Sequence, residues 1–240
     1  MYNHTVARLT YRALLGRRRV LILIALPALL LAIAGAVRGF GGADDSSTVE
    51  VLGGFALASM VPLIGVVAGT GAIAPEIDDG SIVYLLAKPL SRRTIIFTKL
   101  VVAVAVTVAF TTAPILLAGL ILNGNSQQIA SAYTVAAAVA AVAYSAIFLL
   151  LGTVSRNAVV FGLIYALVWE ALLGSTLPGV RVLSVQQWSL ALAEGIAASG
   201  SDVTSDVALP LAAVLLVSAT VLGTWYAGRR LAALTVTGDA

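Results

Sequence analysis

The stretch Ile95–Leu122 reads IIFTKLVVAVAVTVAFTTAPILLAGLIL and holds a single charged residue, Lys99. An α-helix rises about 1.5 Å per residue, so a run of this length can cross the roughly 30 Å of hydrocarbon in a bilayer. Long apolar runs of this kind are typical of helices surrounded by lipid rather than of one buried core. This stretch therefore predicts a transmembrane helix and places the chain among membrane proteins.

Two similar runs precede it and three follow it. Arginines 17–19 before the first run resemble the basic start of a secretory signal, but the apolar part is long for a signal and five more runs follow. We therefore expect a retained first span. The sequence predicts an all-α membrane protein of one domain, 1–240, with six spans at about residues 20–37, 51–74, 95–122, 133–154, 158–177 and 209–227.

The composition excludes several classes of function. Of 240 residues, 60% are hydrophobic and 10% charged, whereas soluble domains are about a quarter charged. Cysteine is absent and His4 is the only histidine, which excludes thiolate metal sites, a His-Glu-x-x-His zinc site and a Ser-His-Asp triad. No glycine immediately precedes Lys88 or Lys99, so the sequence has no Walker-type phosphate loop. We expect no enzyme activity and no cofactor in this chain, and we interpret the 22 glycines mainly as helix-packing positions.

The distribution of basic residues predicts the orientation in the membrane. With the N-terminus inside, only Arg38 and Arg181 of the 14 basic residues lie in outer segments, and the other 12 lie in cytoplasmic ones. Cytoplasmic loops are enriched in arginine and lysine, so both termini are expected in the cytoplasm. The basic residues are scattered between apolar runs and form no face for nucleic acid. Arginine in place of lysine, with abundant alanine and valine, indicates a GC-rich bacterial genome, so we expect a bacterial inner membrane.

Two segments outside the spans carry amphipathic patterns. Thr5–Gly16 can form a basic helix on the membrane surface with Val6, Leu9 and Ala13 on its apolar side, although a basic tail that only sets topology is an alternative. The outer segment 178–207 is too polar to span. Ser184, with Gln187 three residues later, resembles a capping box, so we expect a short interfacial helix there.

The loop between the second and third spans reads PEIDDGSIVYLLAKPLSRRT over residues 75–94. Pro75 suits the first turn of a helix, and the acids at 76, 78 and 79 suit its positive end. Ser81–Ala87 forms a short apolar segment, and Ser91 can cap the third span, with Lys99 placed at the inner headgroups. Three acids beside an apolar helix predict a docking surface for a soluble partner.

Glu170 is the one acid within the six runs. A charge in hydrocarbon costs a few kcal/mol on insertion scales, so it should face protein or water. Two interpretations follow. Glu170 either stays hydrated near the outer headgroups or faces a substrate path, a gate or a subunit seam.

The acid-rich loop resembles that of permease subunits of type-2 ATP-binding-cassette (ABC) transporters. The matching positions are Glu76, Gly80, Leu85, Leu86, Lys88, Pro89, Ser91 and Arg92, with weaker matches at 165–170 and 183–188. The resemblance implies an exporter with an N-terminal elbow helix, an outer re-entrant segment and a coupling helix, Glu76–Ala87, seated in a separate ATPase. It implies two permeases, identical or paralogous, and two ATPase subunits that bind ATP and Mg. The ATPase-docking residues would be Glu76, Asp78, Asp79, Gly80 and Tyr84.

Two other functions are compatible with the composition. A self-sufficient channel or secondary transporter would carry further intramembrane charges or inverted repeats, and neither is evident. A membrane scaffold would use the acidic loop to recruit a partner other than an ATPase. An ATPase gene beside this one in the genome would separate the transporter from the scaffold.

Overall fold

The computed structural model describes residues 3–41, 44–82, 91–174 and 178–233, and every regular element in these ranges is a helix. Five of the helical segments described are long and apolar enough to cross a membrane. They cover Arg19–Gly41, Asp45–Asp78, Arg92–Asn123, Ser126–Val154 and Leu209–Ala233. The fifth predicted run, 158–177, contains a shorter apolar helix, Ala158–Leu173. These helices confirm an all-helical, multi-pass membrane protein.

The first half of the bundle contains α1 (His4–Leu14), α2 (Arg17–Gly41), α3 (Asp45–Val49), α4 (Val61–Gly71) and α5 (Ala74–Asp78). The second half contains α6 (Arg92–Asn123), α7 (Ile129–Val154), α8 (Ala158–Ile164), α9 (Pro178–Arg181), α10 (Val185–Ile196) and α11 (Leu209–Ala233). Two stretches are π-helical: the first π segment, Glu50–Met60, joins α3 to α4, and the second π segment, Tyr165–Leu173, continues α8.

Hydrogen-bonding side chains mark where several helices begin. Asn3 Oδ1 accepts from the backbone N–H of Thr5 and Val6 at the start of α1. Ser91 Oγ accepts from the N–H of Thr94, which confirms Ser91 as the predicted cap of the helix that contains the third run. A cap satisfies N–H groups that the first helical turn leaves without partners.

The centre of the bundle is α7, which packs against α4, α6, α10 and α11. Glycines allow the closest approaches. A Cβ atom on Gly69 would lie 2.6 Å from Phe148 Cβ, and one on Gly119 would overlap Ala130 Cβ. Helices in lipid associate through close packing of small residues, so these glycines have the predicted packing role.

The peripheral helices are α2 and α11. Only 22% and 17% of their most apolar stretches are buried, against 61% in the second and fourth spans. Their outward faces carry large apolar side chains, including Leu21, Val217 and Leu222. In a membrane protein these faces contact lipid, or another subunit, rather than water.

The face of α1 that packs against protein differs from its predicted apolar side, which shares only Val6 with it. Leu9 is 53% exposed and Ala13 is exposed, while the buried face carries Val6, Ala7, Thr10 and Leu14. This face packs against α6 and α4. The Thr10 hydroxyl donates to the Val6 carbonyl at 3.0 Å, so a polar side chain is buried without losing a hydrogen bond. Ala7 and Thr10 are small enough for close contact between α1 and its neighbours, and Leu9 lies on the face of α1 that points away from them.

Candidate functional site

A buried cation joins three elements at the α1 end of the bundle. Lys99 Nζ, on α6, donates to Glu76 Oε1 at 2.6 Å and to the Ala72 carbonyl at 2.7 Å. The Thr10 hydroxyl on α1 lies 3.5 Å from the same nitrogen. The Lys99 side chain is fully buried. We call Lys99, Glu76, Ala72 and Thr10 the Lys99 junction.

The prediction that Lys99 lies at the inner headgroups is wrong. Burying a lone ammonium costs several kcal/mol, and only close pairing with good geometry offsets that cost. Here the carboxylate of Glu76 supplies the opposite charge, and the Ala72 carbonyl lies at the negative end of the second span. Nothing in an apolar run indicates which of its faces will pack against protein, so the sequence did not reveal this site.

A second cation fixes the same helix end. Arg19 Nη1 donates to the Gly71 carbonyl at 3.1 Å. The last carbonyls of a helix have no intrahelical donor and need partners from elsewhere. Arg19 and Lys99 supply these donors to adjacent residues, so the end of the second span is tied both to α2 and to α6.

The structure separates the predicted ATPase-docking residues into two groups. Glu76 points into the Lys99 junction, with 29% of its side chain exposed. Asp78, Asp79 and Gly80 are exposed on the surface. Tyr84 lies outside the described residues. The exposed acids are therefore available to a partner, whereas Glu76 already has one inside the protein.

The predicted coupling helix Glu76–Ala87 is interrupted. The helix begins at Ala74, with Pro75 in its first turn as predicted, and it ends at Asp78. Gly80 then adopts a left-handed conformation with φ of 70°, which an L side chain rarely adopts and which stops the α-helix. Helical conformation resumes at Ile82, and residues 83–87 lie outside the described part of the chain.

At the opposite end of the bundle Glu170 is fully buried and accepts four hydrogen bonds. Its Oε1 accepts from the Tyr165 hydroxyl at 2.7 Å and the Val185 N–H at 3.1 Å. Its Oε2 accepts from the Ser184 hydroxyl at 2.6 Å and the Gln186 N–H at 3.2 Å. Since Val185 and Gln186 open α10, the carboxylate caps that helix across the gap between two segments.

This geometry bears on both interpretations of Glu170. Its side chain has no access to the surface, so it is not a carboxylate hydrated among headgroups in this structure. It lies on the second π segment, which packs against the first π segment. Single π turns within helices are frequent at functional sites. A role for Glu170 in a path or gate stays a prediction.

The helix predicted around Ser184 is present as α10. Ser184 Oγ accepts from the Gln187 N–H at 3.4 Å, as a cap should. The reciprocal half of the predicted capping box is replaced, because the Gln187 side chain donates to the Gly174 carbonyl instead. Trp188 is 8% exposed and donates to the Val182 carbonyl at 2.7 Å, so it belongs to the packed end of the bundle.

Comparison with known families gives a match over most of the chain. The family model described as ABC-2 family transporter protein matches residues 5–179. The matched region runs from α1 through α8 and the second π segment, and therefore contains the Lys99 junction, the exposed acids and Glu170. A search of curated proteins finds no match.

Proposed function

Because the chain belongs to the ABC-2 transporter family, we propose that it is the permease subunit of an ABC exporter, driven by a separate ATPase. Membership makes it a transport protein of the membrane and implies partnership with an ABC ATPase. Our proposal extends to the assembly: two permeases, identical or paralogous, with two ATPase subunits. ATP and Mg then bind to the ATPase, and this chain contributes no nucleotide site.

We place six spans in the membrane, with Ala158–Leu173 as the fifth. At about 1.5 Å per residue this helix reaches roughly 24 Å, and bilayers thin locally around short spans. In this arrangement the single domain 1–240 has α1 as the elbow helix, α9 and α10 as the outer re-entrant segment, and both termini in the cytoplasm of a bacterial cell. Cysteines introduced at Ser81 and Thr204, in a chain without native cysteine, test this: an impermeant thiol reagent should label only position 204 on intact cells.

The Lys99 junction is the observation that supports coupling to an ATPase. A partner that moves the exposed acids, Asp78 and Asp79, also moves α5, because both lie at its end. Glu76 on α5 is bound to Lys99 of α6, and Lys99 also holds the end of the second span and reaches α1. A displacement at the surface is therefore carried to α6, to the end of the second span and to α1 as one unit.

Glu170 suits a gate better than an open path. Its oxygens are enclosed and bound to α10, so in this conformation they contact no aqueous route. If α10 covers the outer end of the substrate path, Glu170 holds α10 against the second π segment. That segment packs against the second span. Movement of the second span, started at the Lys99 junction, then reaches the anchor of α10.

Charge reversal on the loop tests the proposed function. In cells that express the chain with its candidate ATPase, Asp78→Lys with Asp79→Lys should remove the ATPase from the purified complex. Single exposed charge contacts are worth about 0–1 kcal/mol, so the double change is needed. Glu50→Lys with Asp202→Lys, two exposed acids at the other end of the bundle, is the matched control and should retain the ATPase.

Two results would count against the proposal. If the loop variant still purified with its full amount of ATPase, Asp78 and Asp79 would not contact the ATPase and would act only within this chain, at the end of α5. A partner that binds the loop but hydrolyses no ATP would favour the scaffold function instead.

A further inference from the structure

A groove runs between the first turns of α6 and the last turns of α11. Its volume is about 750 Å³, larger than the other cavities described in this chain. Apolar side chains, including Ile96, Phe97, Leu100 and Val221, form most of its wall. These residues belong to two apolar spans, so the groove opens along the hydrocarbon of the membrane rather than into a loop.

Three arginines line one end of this groove: Arg92, Arg93 and Arg229. No acid is among the described residues that line it, and none of the three arginines forms an ion pair in the described part of the chain. Arg92 Nη1 is buried without a hydrogen-bond partner among those residues. The guanidinium of Arg229 lies 4.1 Å from the centre of the Trp225 ring, which holds the charge over the groove wall.

The site therefore combines an apolar groove between two apolar helices with three arginines at one end. The buried Nη1 of the half-buried Arg92 is a donor that calls for an acceptor, and guanidinium matches the geometry of phosphate oxygens. Basic pockets between transmembrane helices bind anionic headgroups. A soluble phosphate compound would use the arginines and leave the apolar walls unfilled, whereas a phospholipid uses both.

We propose that this groove binds an anionic phospholipid, with its phosphate on Arg92, Arg93 and Arg229 and an acyl chain against Phe97, Val221 and Trp225. The bound lipid bridges α6, which carries Lys99, and the peripheral α11. This site depends only on the membrane location of the chain, so it stands independently of the proposed exporter function.

Trp225 provides the measurement, because it lies in the groove wall. The full chain is placed in vesicles of phosphatidylcholine with a minor fraction of phosphatidylglycerol, and one of the two lipids carries brominated acyl chains that quench tryptophan on contact. The quenching lost in Trp225→Phe is the part that belongs to the groove. We expect brominated phosphatidylglycerol to quench this part beyond its share of the lipid.

Replacing the groove arginines with glutamine should remove that excess. Arg92→Gln, Arg93→Gln and Arg229→Gln should each lower the preference for phosphatidylglycerol about fivefold, and the triple variant should show none. The control is Arg12→Gln, Arg156→Gln and Arg230→Gln, which removes the same charge from exposed positions that do not line the groove. This variant should keep the preference.

Three results would overturn the proposal. The first is quenching of the unaltered chain by brominated phosphatidylglycerol in proportion to its share of the lipid. This result does not depend on the folding of any variant. The second is an excess that survives the triple groove variant or disappears equally in the control, since either result would assign the preference to general surface charge. The third is displacement by soluble glycerol phosphate, which would show that the arginines bind free phosphate rather than lipid.

Discussion

Replacing Glu170 tests whether its carboxylate anchors α10 to the second π segment. Glutamine keeps one carbonyl oxygen but places an NH₂ group where the other oxygen accepted a hydroxyl and a backbone N–H. The hydroxyl can rotate to accept from the new amide, whereas the N–H of Val185 or Gln186 cannot. One buried N–H without a partner costs about 1–3 kcal/mol. We therefore expect Glu170→Gln to lower the free energy of unfolding by that amount.

Leucine at position 170 removes both oxygens and leaves both backbone N–H groups of α10 without acceptors. The expected loss is then about 2–6 kcal/mol. Unfolding in detergent, monitored while the sample is heated, measures both variants. Glu50→Gln is the control because Glu50 is an exposed acid. Wild-type stability in Glu170→Leu would refute this reasoning, because four hydrogen bonds to a buried carboxylate cannot be lost without effect. Transport at matched expression then tests the gate: Glu170→Gln should alter it.

Three further predictions follow from other contacts. Gly69→Ala should destabilise the protein by about 1–3 kcal/mol, because the new methyl group overlaps a phenylalanine of α7, whereas Gly35→Ala, which meets nothing within 4 Å, should not. Lys99→Met should lower the free energy of unfolding, measured by heating, by about 3 kcal/mol, because it leaves the Glu76 carboxylate without its cation. The double variant with Glu76→Gln should lose less than the sum of the two single losses, because it also removes that carboxylate. The hydroxyl of Ser47 donates to the Asp44 carboxylate and lowers the pKa of Asp44 from 3.8 to about 2. The helix cap that Asp44 forms should therefore be complete above pH 3.8 and be lost as the pH falls through about 2. NMR titration of the Asp44 carboxyl measures this transition.

The sequence predicted the helical membrane fold because run length and charge distribution report directly on the bilayer. It also predicted caps such as Ser91 and Ser184, since a cap depends on local chemistry. It placed Lys99 wrongly and left the surroundings of Glu170 open, because both depend on which helix faces which. Partners such as Ala72 and Val185 are backbone groups, which leave no pattern in the sequence.

Contact between the loop after α5 and an ABC ATPase is the central claim, and site-specific photocrosslinking measures it directly. A photoreactive amino acid replaces Asp79, which is exposed at the end of α5, in cells that express the whole transporter. The control position is Thr204, exposed at the opposite end of the bundle. We predict that mass spectrometry identifies an ABC ATPase in the adduct at position 79 and none at position 204. Absence of the ATPase from the adduct at 79, or equal adducts at both positions, would contradict the account.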